Sequence, residues 1–491
     1  MKNRPERAPA VRAIRKGEVI EVTVQKLVLG GYGMALYDVP PVDANLPKLR
    51  VFVERGLPGQ RVKVLVTEKK PQYVIGQIEE VLEESPDAVE PKCPYFATTK
   101  MINEKKPSCG GCLWQNLSYE KQLEVKEGQV KETLERIAKL ANPKIEPIIP
   151  SPDPWFYRNK IELSFGHNAD GHVDFGFRER GKFNSIIPVQ SCDIFDPQLP
   201  QIFDIIRRYV RMVDLEPFDF VKKPDGFWQF LILRRGVKTG EWMINFVTRP
   251  GHQINKHLAE ELHDALDDKL QSVLHTVNFG KAITYVGHEN KKVELLFGRN
   301  YILEEMGGLQ FKISPFSFFQ TNTLAAEQLY ETVKKLADLK GHEKVLDLYC
   351  GTGTIGQFLA RQAREVIGME LMQEAIDDAN ENARINTLAN CQYRCGDVGK
   401  ILLLERNKYL HADLMILDPP RAGMADKTRR KVISLMPQQV IYVSCNPATL
   451  ARDLLDFQRQ RYEIQTIQPI DLFPHTHHVE TVVKMVRKRV G

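Results

Sequence analysis

The stretch that decides the fold is VLDLYCGTGTIG, residues 345–356. Its apolar run predicts a β-strand, its glycines predict a tight loop, and the residues from Thr354 onward predict a helix. Gly351, Gly353 and Gly356 fit the G-x-G-x-x-G spacing of nucleotide-binding loops. The stretch therefore predicts an α/β fold that binds a nucleotide-type ligand at the carboxyl end of its first strand.

Strands and helices alternate from this stretch to the end of the chain. A helix is predicted just before it, over Thr323–Ala337. The predicted strands are 344–348, 365–369, 392–394, 414–417, 440–444, 463–468 and 479–486. Seven strands with intervening helices predict a doubly wound sheet. No clear helix separates the last two strands, so we expect an antiparallel hairpin at the sheet edge, which a nicotinamide-binding Rossmann fold does not usually carry.

The glycine loop alone leaves two ligands open, NAD and S-adenosylmethionine (SAM). Glu370 closes the second strand near the roughly 20-residue offset at which an acid binds ribose hydroxyls, and this suits either ligand. Asp347 is an acid inside the end of the first strand, and the motif opens a seven-strand sheet late in the chain. Both features favour SAM.

Residues 17–84 predict a small β-barrel. Strong alternation predicts a strand over 17–27, and Gly30–Gly33 predicts a turn. The further predicted strands are 50–53, 60–67 and 72–81. A five-strand barrel of the OB type fits this pattern, and OB folds commonly bind oligonucleotides. The segment resembles the TRAM domain, an RNA-binding OB module, and its proline-rich loop 38–48 is interpreted as a surface excursion.

Four cysteines precede the C-terminal domain. Cys109-Gly110-Gly111-Cys112 is a knuckle of the kind that wraps backbone amides around a metal or a cluster. Cys93 supplies a third thiol, and Cys192 is the remaining one before that domain. Four thiolates suit zinc or an iron–sulfur cluster equally well. Free thiols with a chance C-x-x-C spacing are the alternative.

The central region, residues 150–310, predicts a mixed α/β domain. Its predicted elements are a helix ahead of it at 119–140, strands at 156–165 and 172–177, helices at 197–212 and 257–270, and a hairpin of 227–233 with 242–246. Arg158 and Lys160 stand beside aromatic residues on a strand. That arrangement suits contacts with a phosphate and a base, or an ordinary solvated edge.

Composition is that of a globular protein of about three domains. The 491 residues are 43% hydrophobic and 27% charged, and no apolar run approaches the roughly 18 residues of a membrane span. The N-terminus is basic without a following apolar stretch, so we do not expect a secretory signal. Net charge is +5, and both ends are rich in Lys and Arg, as in many nucleic-acid-binding chains. Solvated termini are an equally good interpretation. The basic residues are Lys2, Arg4, Arg7, Arg12, Arg15 and Lys16 at one end and Lys484, Arg487, Lys488 and Arg489 at the other.

A single cysteine ends the fifth predicted strand of the sheet. In IYVSCNP, residues 441–447, an apolar run ends at Cys445, and Asn446-Pro447 forces the backbone out of the strand. Cys445 would stand on the carboxyl rim, where ligands and reacting groups collect. A lone cysteine is more often a small buried hydrophobe, so its neighbours decide between the two interpretations.

Asp418-Pro419-Pro420-Arg421 closes the fourth strand at the same rim. Methyltransferases that act on base nitrogens use a similar acid/Asn-Pro-Pro-aromatic motif. Arg421 stands where the aromatic residue would be, which argues against that chemistry. Cytosine-C5 RNA methyltransferases place a nucleophilic cysteine at this strand end, but here the thiol comes one strand later.

His478-Val479-Glu480 opens the last predicted strand. By itself Glu480 is an ordinary solvated acid, but its strand, expected at the edge, should lie beside the strand of Cys445. A thiol and a carboxylate that face one pocket suit C5 methylation of a pyrimidine. Addition of a thiolate at C6 gives C5 carbanion character, and a base removes the C5 proton after methylation.

With these motifs assembled, the chain resembles the TrmA/RlmD family of class I SAM-dependent RNA (uracil-C5)-methyltransferases, over about residues 17–487. Its most specific parts, in order, are FQTN at 319–322, the glycine loop, 418–421, 444–447 and 478–480. The resemblance implies that Cys445 is the nucleophile and Glu480 the general base. The donor-binding positions that it implies are Gln320, Tyr349, Thr354, Glu370, Asp397 and Asp418. Glu370 suits the ribose diol, Asp397 the adenine edge, and Phe318 would be available to pack on uracil.

Within that family the chain resembles the rRNA-modifying RlmD (RumA) branch. The tRNA-modifying TrmA branch lacks both the TRAM domain and the four-cysteine site. The resemblance implies a [4Fe-4S] cluster on Cys93, Cys109, Cys112 and Cys192. The segment between Cys93 and Cys109 is longer than in the family, and a surface insertion of this kind costs little closure entropy.

The sequence thus predicts three domains: a TRAM barrel at 17–84, a central α+β domain with the cysteine site at 85–315, and a methyltransferase domain at 316–491. We expect a cytoplasmic, monomeric enzyme that methylates C5 of a uridine in 23S rRNA and has neither DNA nor membrane partners. A tRNA substrate is the alternative. Two other classes stay open: a nicotinamide oxidoreductase with the same glycine loop, and a non-catalytic RNA-binding protein that needs neither Cys445 nor Glu480.

Overall fold

The computed structural model describes residues 14–39, 48–182, 185–219, 222–280, 290–410 and 412–488. Five of the basic terminal residues (Lys2, Arg4, Arg7, Arg12 and Arg489) and most of the proline-rich loop 38–48 lie outside the described residues. The chain divides into two compact units. The first contains residues up to Gln129 with Phe177–Ile187 and Pro474–His477, and the second contains the remainder. None of the described helices combines the length and apolar character needed to cross a bilayer.

The strands of the described chain are numbered β1 to β21. They are, in order, Val19–Val28, Tyr32–Tyr37, Leu49–Glu54, Arg61–Lys69, Tyr73–Glu83, Lys160–His167, Val173–Arg178, Ile186–Ile187, Trp228–Arg235, Trp242–Thr248, Leu270–Asn278, Lys291–Gly298, Ile302–Met306, Leu309–Ile313, Lys344–Leu348, Glu365–Glu370, Cys391–Cys395, Leu414–Leu417, Gln439–Ser444, Tyr462–Ile470 and Glu480–Arg487.

The α-helices are numbered α1 to α11. They are, in order, Thr99–Asn103, Tyr119–Arg136, Leu199–Val213, Lys256–Leu266, Thr323–Ala337, Thr354–Ala360, Gln373–Ile385, Val398–Leu404, Arg406–Tyr409, Asp426–Ser434 and Pro447–Arg459.

The first five strands close into a barrel in the order β1-β2-β3-β5-β4. The pair β3–β5 is parallel and the other neighbours are antiparallel, which is the OB arrangement. Alternate residues of β1 and β4, among them Val22, Val24, Val62 and Val64, fill the barrel core. The predicted barrel is confirmed. The sequence missed β2, because the segment assigned to a turn already pairs with β3 from Tyr32 onward.

A seven-stranded sheet with the order β12-β11-β10-β9-β6-β7-β8 follows. The predicted hairpin of β9 and β10 is confirmed, with Ile244 opposite Leu233. The helix predicted over 257–270 is too long: α4 ends at Leu266, and Asp267 has a φ of 50°. Leu270 begins β11 instead, which pairs parallel with β10 and is largely buried. A strand buried on both faces lacks the polar alternation by which strands are recognised.

The C-terminal sheet has the order β17-β16-β15-β18-β19-β21-β20. Five parallel strands continue into an antiparallel pair, so the predicted seven-strand α/β fold and its closing hairpin are confirmed. One expectation is wrong. The last strand, β21, is not the edge: it lies between β19 and β20, and β20 forms the edge. The first four residues of β21 are all buried, so both faces of the strand are covered there, as is usual for an interior strand.

Two hydrophobic clusters cover the two faces of this sheet. One joins the strands to α5, α6 and α7 through Leu329, Phe358 and Ala379. The other joins them to α8, α10 and α11 through Leu402, Val432 and Leu454. A three-layer α/β/α arrangement therefore holds the strand ends rigidly, and the residues that follow the parallel strands collect at one rim.

Candidate active site

Cys445 stands between strand β19 and helix α11. The strand ends at Ser444, and Asn446 caps the helix by accepting a hydrogen bond from Ala448 N at 3.1 Å. Pro447 occupies the first helical turn and prevents the strand from continuing. The thiol is therefore partly exposed at the rim, one residue ahead of a helix N-terminus whose dipole favours a thiolate.

Glu480 begins the strand beside it. β19 and β21 are antiparallel neighbours, with Ser444 opposite Thr481. Cys445 directly follows Ser444 and Glu480 directly precedes Thr481, so the two residues lie side by side on adjacent strands. Glu480 is buried, with only 4% of its surface exposed. Burial, with the nearby Asp418 carboxylate, raises the pKa of Glu480 to about 8. The structure thus brings together the two residues predicted for catalysis.

The thiol of Cys445 is in an acidic environment. Burial and the charges of Glu480 and Asp418 raise its pKa to about 11, while the charge of Arg421 lowers it. Asp418 follows strand β18, and its backbone N–H donates to Leu348 O at 3.3 Å. Burial and Asp347 raise the pKa of Asp418 to about 7. Neighbouring carboxylates resist simultaneous ionisation, so the site retains protons near neutral pH.

The glycine loop is a tight backbone turn between β15 and α6. Gly353 has a φ of 77°, and a Cβ there would lie 2.6 Å from the Tyr393 hydroxyl. Gly356 N donates to Asp347 Oδ2 at 2.9 Å, and a Cβ at Gly356 would lie 2.8 Å from that oxygen. A Cβ at Gly351, by contrast, would meet no atom within 4 Å. The loop is closed against the sheet and open on its other side, where a ligand fits.

Three predicted donor-binding residues converge beside this loop. Burial raises the pKa of Tyr349 to about 12, with further contributions from the charges of Asp397, Asp453 and Glu370. Glu370 accepts hydrogen bonds from the N–H groups of Gly351, Leu371 and Met372, at 3.2, 2.7 and 3.1 Å. Leu371 is 62% exposed. An apolar, partly open wall beside two carboxylates fits the adenosine part of SAM.

Asp397 and Thr354 each lie at a helix start. Asp397 is exposed and caps α8 by accepting from Lys400 N at 2.8 Å. Thr354 begins α6, and its hydroxyl lies 3.3 Å from the Tyr330 hydroxyl. Tyr330, on α5, was not singled out from the sequence. Burial raises its pKa, and the charges of Asp418, Asp347 and Glu480 raise it further. The helical spacing of Tyr330 in the sequence does not predict that it contacts Thr354.

The described contacts of the FQTN segment, residues 319–322, are with the scaffold. Gln320 is half-buried, and its backbone carbonyl accepts from Asn159 Nδ2 at 2.8 Å. Asn322 is buried and caps α5 by accepting from Ala325 N at 3.1 Å. Phe318 is 67% exposed and available to a ligand. The sequence marked the segment as a unit, whereas its asparagine holds a helix in place.

Three of the predicted metal ligands lie in the first unit. None of the three forms a disulfide with another described residue, and the N–H of Gly111 donates to Cys109 Sγ at 3.4 Å, as in thiolate sites that accept amide hydrogen bonds. The pKa of Cys109 rises to about 11, mainly through burial, with a contribution from Cys93. Arg55 Nη2 donates to Cys109 O at 2.7 Å, and its charge is felt at Cys109 and Cys112.

Cys192 lies in the second unit, where its carbonyl accepts from Phe195 N at 2.9 Å. Among the described residues, no three His, Cys, Asp or Glu side chains are placed to hold a metal ion. The chemistry of the thiols fits a metal or cluster, but an assembled ligand set is not present.

Comparison with known families gives two matches. The family described as tRNA (Uracil-5-)-methyltransferase matches residues 118–396 and 400–488. The TRAM domain family matches residues 15–78.

Among curated proteins the chain is similar to uncharacterised RNA methyltransferases. One, from Clostridium tetani, is 37% identical over 479 residues, which cover 97% of this chain and 99% of that protein. Another, from Caldanaerobacter subterraneus, is 38% identical over 472 residues, covering 95% and 98%.

Among solved structures, the chain is similar to the tRNA (uracil-54, C5)-methyltransferase of Pyrococcus abyssi in complex with S-adenosyl-L-homocysteine. The TM-score is 0.72 at 27% identity, with 95% of this chain and all of that one covered.

Proposed function

We propose that the chain modifies a uridine of 23S rRNA in the cytoplasm. It belongs to the family described as tRNA (Uracil-5-)-methyltransferase and is a SAM-dependent RNA uracil-C5 methyltransferase. Cys445 is proposed as the nucleophile and Glu480 as the base. The observation that carries these roles is the pairing of β19 with β21, which places the thiol and the carboxylate at one rim. The family match sets aside the nicotinamide oxidoreductase and the non-catalytic RNA-binding protein.

The proposed reaction uses the two residues in succession. The thiolate of Cys445 attacks C6 of uracil, and the C5–C6 electron pair moves toward C5 and O4. C5 then accepts the methyl group that SAM would supply, the sulfur–methyl bond of SAM breaks, and S-adenosyl-L-homocysteine leaves. Glu480 then takes the C5 proton, the C5–C6 double bond re-forms, and the C6–sulfur bond breaks to free the enzyme. The target uridine must be unstacked to reach the rim.

These roles are tested with RNA that carries 5-fluorouridine at the target. Because C5 then bears fluorine in place of the removable proton, the enzyme is expected to stop as a covalent protein–RNA adduct. Cys445→Ala should form none, while Cys395→Ala, which changes an exposed cysteine of the same domain, should form as much as the wild type. Adduct with Cys445→Ala would remove Cys445 from its role.

Ribosomal RNA is proposed because the chain joins a TRAM barrel to the cysteine set. The barrel is a closed OB fold of the kind that binds oligonucleotides, and the resemblance assigns the combination of barrel and cysteines to the rRNA branch. The proposal includes the predicted division into a TRAM barrel at 17–84, a central domain at 85–315 and a methyltransferase domain at 316–491.

Transfer RNA is the second candidate, favoured by the Pyrococcus abyssi structure. That tRNA methyltransferase aligns over 95% of this chain, a share too large to leave out the barrel, so a barrel does not by itself indicate rRNA. Mapping 5-methyluridine in both rRNA and tRNA, from cells with and without the gene, separates the candidates. Loss of a 23S site supports the first, and loss confined to tRNA refutes it.

We further propose that Cys93, Cys109, Cys112 and Cys192 hold a [4Fe-4S] cluster. The amide directed at Cys109 Sγ and the charge of Arg55, which acts on Cys109 and Cys112, support a thiolate-bound, negatively charged group. Anaerobically purified protein should be brown, with about four iron atoms per chain on this assignment. A colourless protein that contains zinc would refute the cluster and show a zinc site on these thiols instead.

A further inference from the structure

We propose that Gln122 and His475 are positioning residues for Glu480. Their hydrogen bonds fix the loop that leads into β21, and so hold the carboxylate where it takes the C5 proton. This loop, residues 471–479 between β20 and β21, is here called the base loop. The inference rests on the proposed function, because it concerns the carboxylate that the proposed function makes the base.

Glu480 stands at the end of its strand ladder. It is the first residue of β21, where it pairs with Ile470 of β20. On the other side of β21, the described ladder with β19 begins one residue later, at Thr481. The ladder therefore holds Glu480 on one side, and the direction in which the chain enters the strand depends on the base loop.

The tip of the base loop contains a residue in an unusual backbone conformation. His475 has a φ of 62° and is buried, with 3% of its surface exposed. Residues with a Cβ seldom adopt this left-handed conformation, and it persists where the surrounding structure stabilises it. The contacts of His475 therefore decide the path of the loop.

Gln122 provides the first of these contacts. This residue of α2 is fully buried, and its Oε1 accepts a hydrogen bond from His475 N at 2.8 Å. Its Nε2 lies 3.2 Å from His475 Nδ1 and donates to Trp114 O and Leu117 O at 2.9 and 2.8 Å. One buried amide thus joins the loop tip to the segment that follows the cysteine knuckle.

The carbonyl of His475 is bonded to the same segment. Leu113 N and Trp114 N donate to His475 O at 2.9 and 3.1 Å, directly after Cys112 in the chain. Residues 474–477 belong to the same compact unit as these donors and Gln122. Because both backbone polar groups of His475 are bonded, its conformation is fixed from two directions.

The neck of the base loop is also packed. The rings of Phe473 and His478 meet edge to face, with their centroids 5.8 Å apart. His478 is two residues ahead of Glu480, so a change at the tip passes through a short stretch of chain before it reaches the carboxylate. Loss of the bonds at His475 lets residues 476–479 take another path, and the carboxylate then moves relative to C5.

One step of the proposed reaction depends on that position. Addition of the Cys445 thiolate to C6 and transfer of the methyl group to C5 do not use Glu480. The last step does: the C5 proton passes to the carboxylate, the C5–C6 double bond re-forms, and the C6–sulfur bond breaks. A displaced carboxylate therefore slows release of the product and leaves the formation of the adduct unchanged.

The first test compares ordinary RNA with RNA that carries 5-fluorouridine, using Gln122→Met, which removes the amide and keeps the volume. With SAM and ordinary RNA, the methylated protein–RNA adduct should accumulate, because its breakdown slows by about 10–100-fold, the cost of a misplaced group. With 5-fluorouridine the adduct should form at the wild-type rate, since that reaction stops before proton removal. Denaturing gels and mass spectrometry measure both.

Gln60→Met is the matched control. Gln60 is another buried glutamine of the first unit, and its Oε1 accepts from Leu57 N at 3.1 Å, away from the base loop. This variant should release its product at the wild-type rate. Equal slowing of both reactions in Gln122→Met, or release as fast as in wild type, would overturn the inference. Gln122→Asn, whose amide is one methylene shorter, should show the same pattern in milder form and replaces the Met variant should that one not fold.

The second test needs no RNA. Amide hydrogen exchange of the full-length proteins, followed by mass spectrometry, should be faster over residues 474–482 in Gln122→Met than in wild type or Gln60→Met. Equal exchange in all three proteins would overturn the inference. Absence of a 5-fluorouridine adduct with wild-type protein would overturn the proposed function instead, and the exchange rates would still decide whether Gln122 holds the base loop.

Discussion

At the scale of single residues, the site contains three carboxyl groups whose pKa burial raises to neutral pH or slightly above. The pKa values of Asp347 and Asp418 rise to about 7 and that of Glu480 to about 8. Asp347 is fully buried, and among the described residues its Oδ1 has no hydrogen-bond partner. In its proposed role as the base, Glu480 can accept the C5 proton only after it has lost its own. The sulfonium charge of SAM favours that ionised state electrostatically.

Glu480→Gln should therefore change how stability depends on pH. The unfolded carboxyl titrates near its ordinary pKa of 4.5 and the folded one near 8. Between these values the folded state holds a proton that the unfolded state has lost, so raising the pH destabilises the wild type. Glutamine removes this effect. The variant's melting temperature should exceed that of wild type increasingly from pH 5 to pH 8, by the equivalent of at least about 1 kcal/mol, and level off above.

Thermal melting of both proteins at matched ionic strength checks this, with Glu463→Gln as the control. Glu463 is an exposed residue of β20, which pairs with the strand of Glu480. Its replacement should change the melting temperature by the same amount at every pH. A difference between Glu480→Gln and wild type that stays constant from pH 5 to 8 would show that Glu480 is ionised throughout.

At the scale of elements, α5 connects the sequence motif to the scaffold through Asn322. Besides capping the helix, Asn322 Nδ2 donates to Ser151 Oγ and Leu472 O, both at 3.0 Å. Asn322→Ala should cost about 2–4 kcal/mol, the sum of a lost helix cap and of two buried hydrogen bonds lost to Ser151 and Leu472. Denaturant unfolding measures this, and activity per folded molecule should persist, because these bonds lie within the scaffold.

Asn255→Ala is the matched control for that prediction. Asn255 is exposed and caps α4 by accepting from His257 N at 3.0 Å, so its loss should cost about 1 kcal/mol. Equal costs for the two variants would mean that the bonds to Ser151 and Leu472 contribute nothing.

The elements that the sequence predicted are those with a local signal. Alternation marks β1, and the apolar run of β15 with its glycines marks the donor loop, because side-chain periodicity and turn chemistry are properties of neighbouring residues. β11 is buried on both faces, so its sequence shows no alternation of polar and apolar residues. The insertion of β21 between β19 and β20 depends on pairing between distant strands, which no single segment encodes.

The site follows the same rule. Cys445 and Glu480 were predicted from strand ends and from the chemistry that a thiol and an acid share. Tyr330 was missed, because a tyrosine at helical spacing is ordinary core until a hydroxyl of another element, Thr354, is seen beside it. The tie between Arg421 O and the side chains of Asn446 and Thr449 is likewise a contact of two loops, visible only in three dimensions.

At the scale of the whole molecule, the donor pocket and the cysteine knuckle belong to different units. Every predicted donor-binding residue lies in the second unit, whereas Cys93, Cys109 and Cys112 lie in the first. Each pocket residue takes its described contacts from its own unit, as the bonds of Glu370 and Thr354 show. The donor site should therefore form without the cluster.

Cys109→Ser should consequently separate the two functions. On the proposed [4Fe-4S] assignment, we expect it to lose most of its iron and its visible absorption, since such a cluster relies on each of its thiolate ligands. Affinity for S-adenosylhomocysteine, measured by calorimetry, should stay within about twofold, a change below roughly 0.5 kcal/mol. Cys395→Ser, which alters an exposed thiol of the second unit, should keep both the iron and the affinity. A tenfold loss of affinity in Cys109→Ser would contradict the expectation that the donor site forms independently of Cys109.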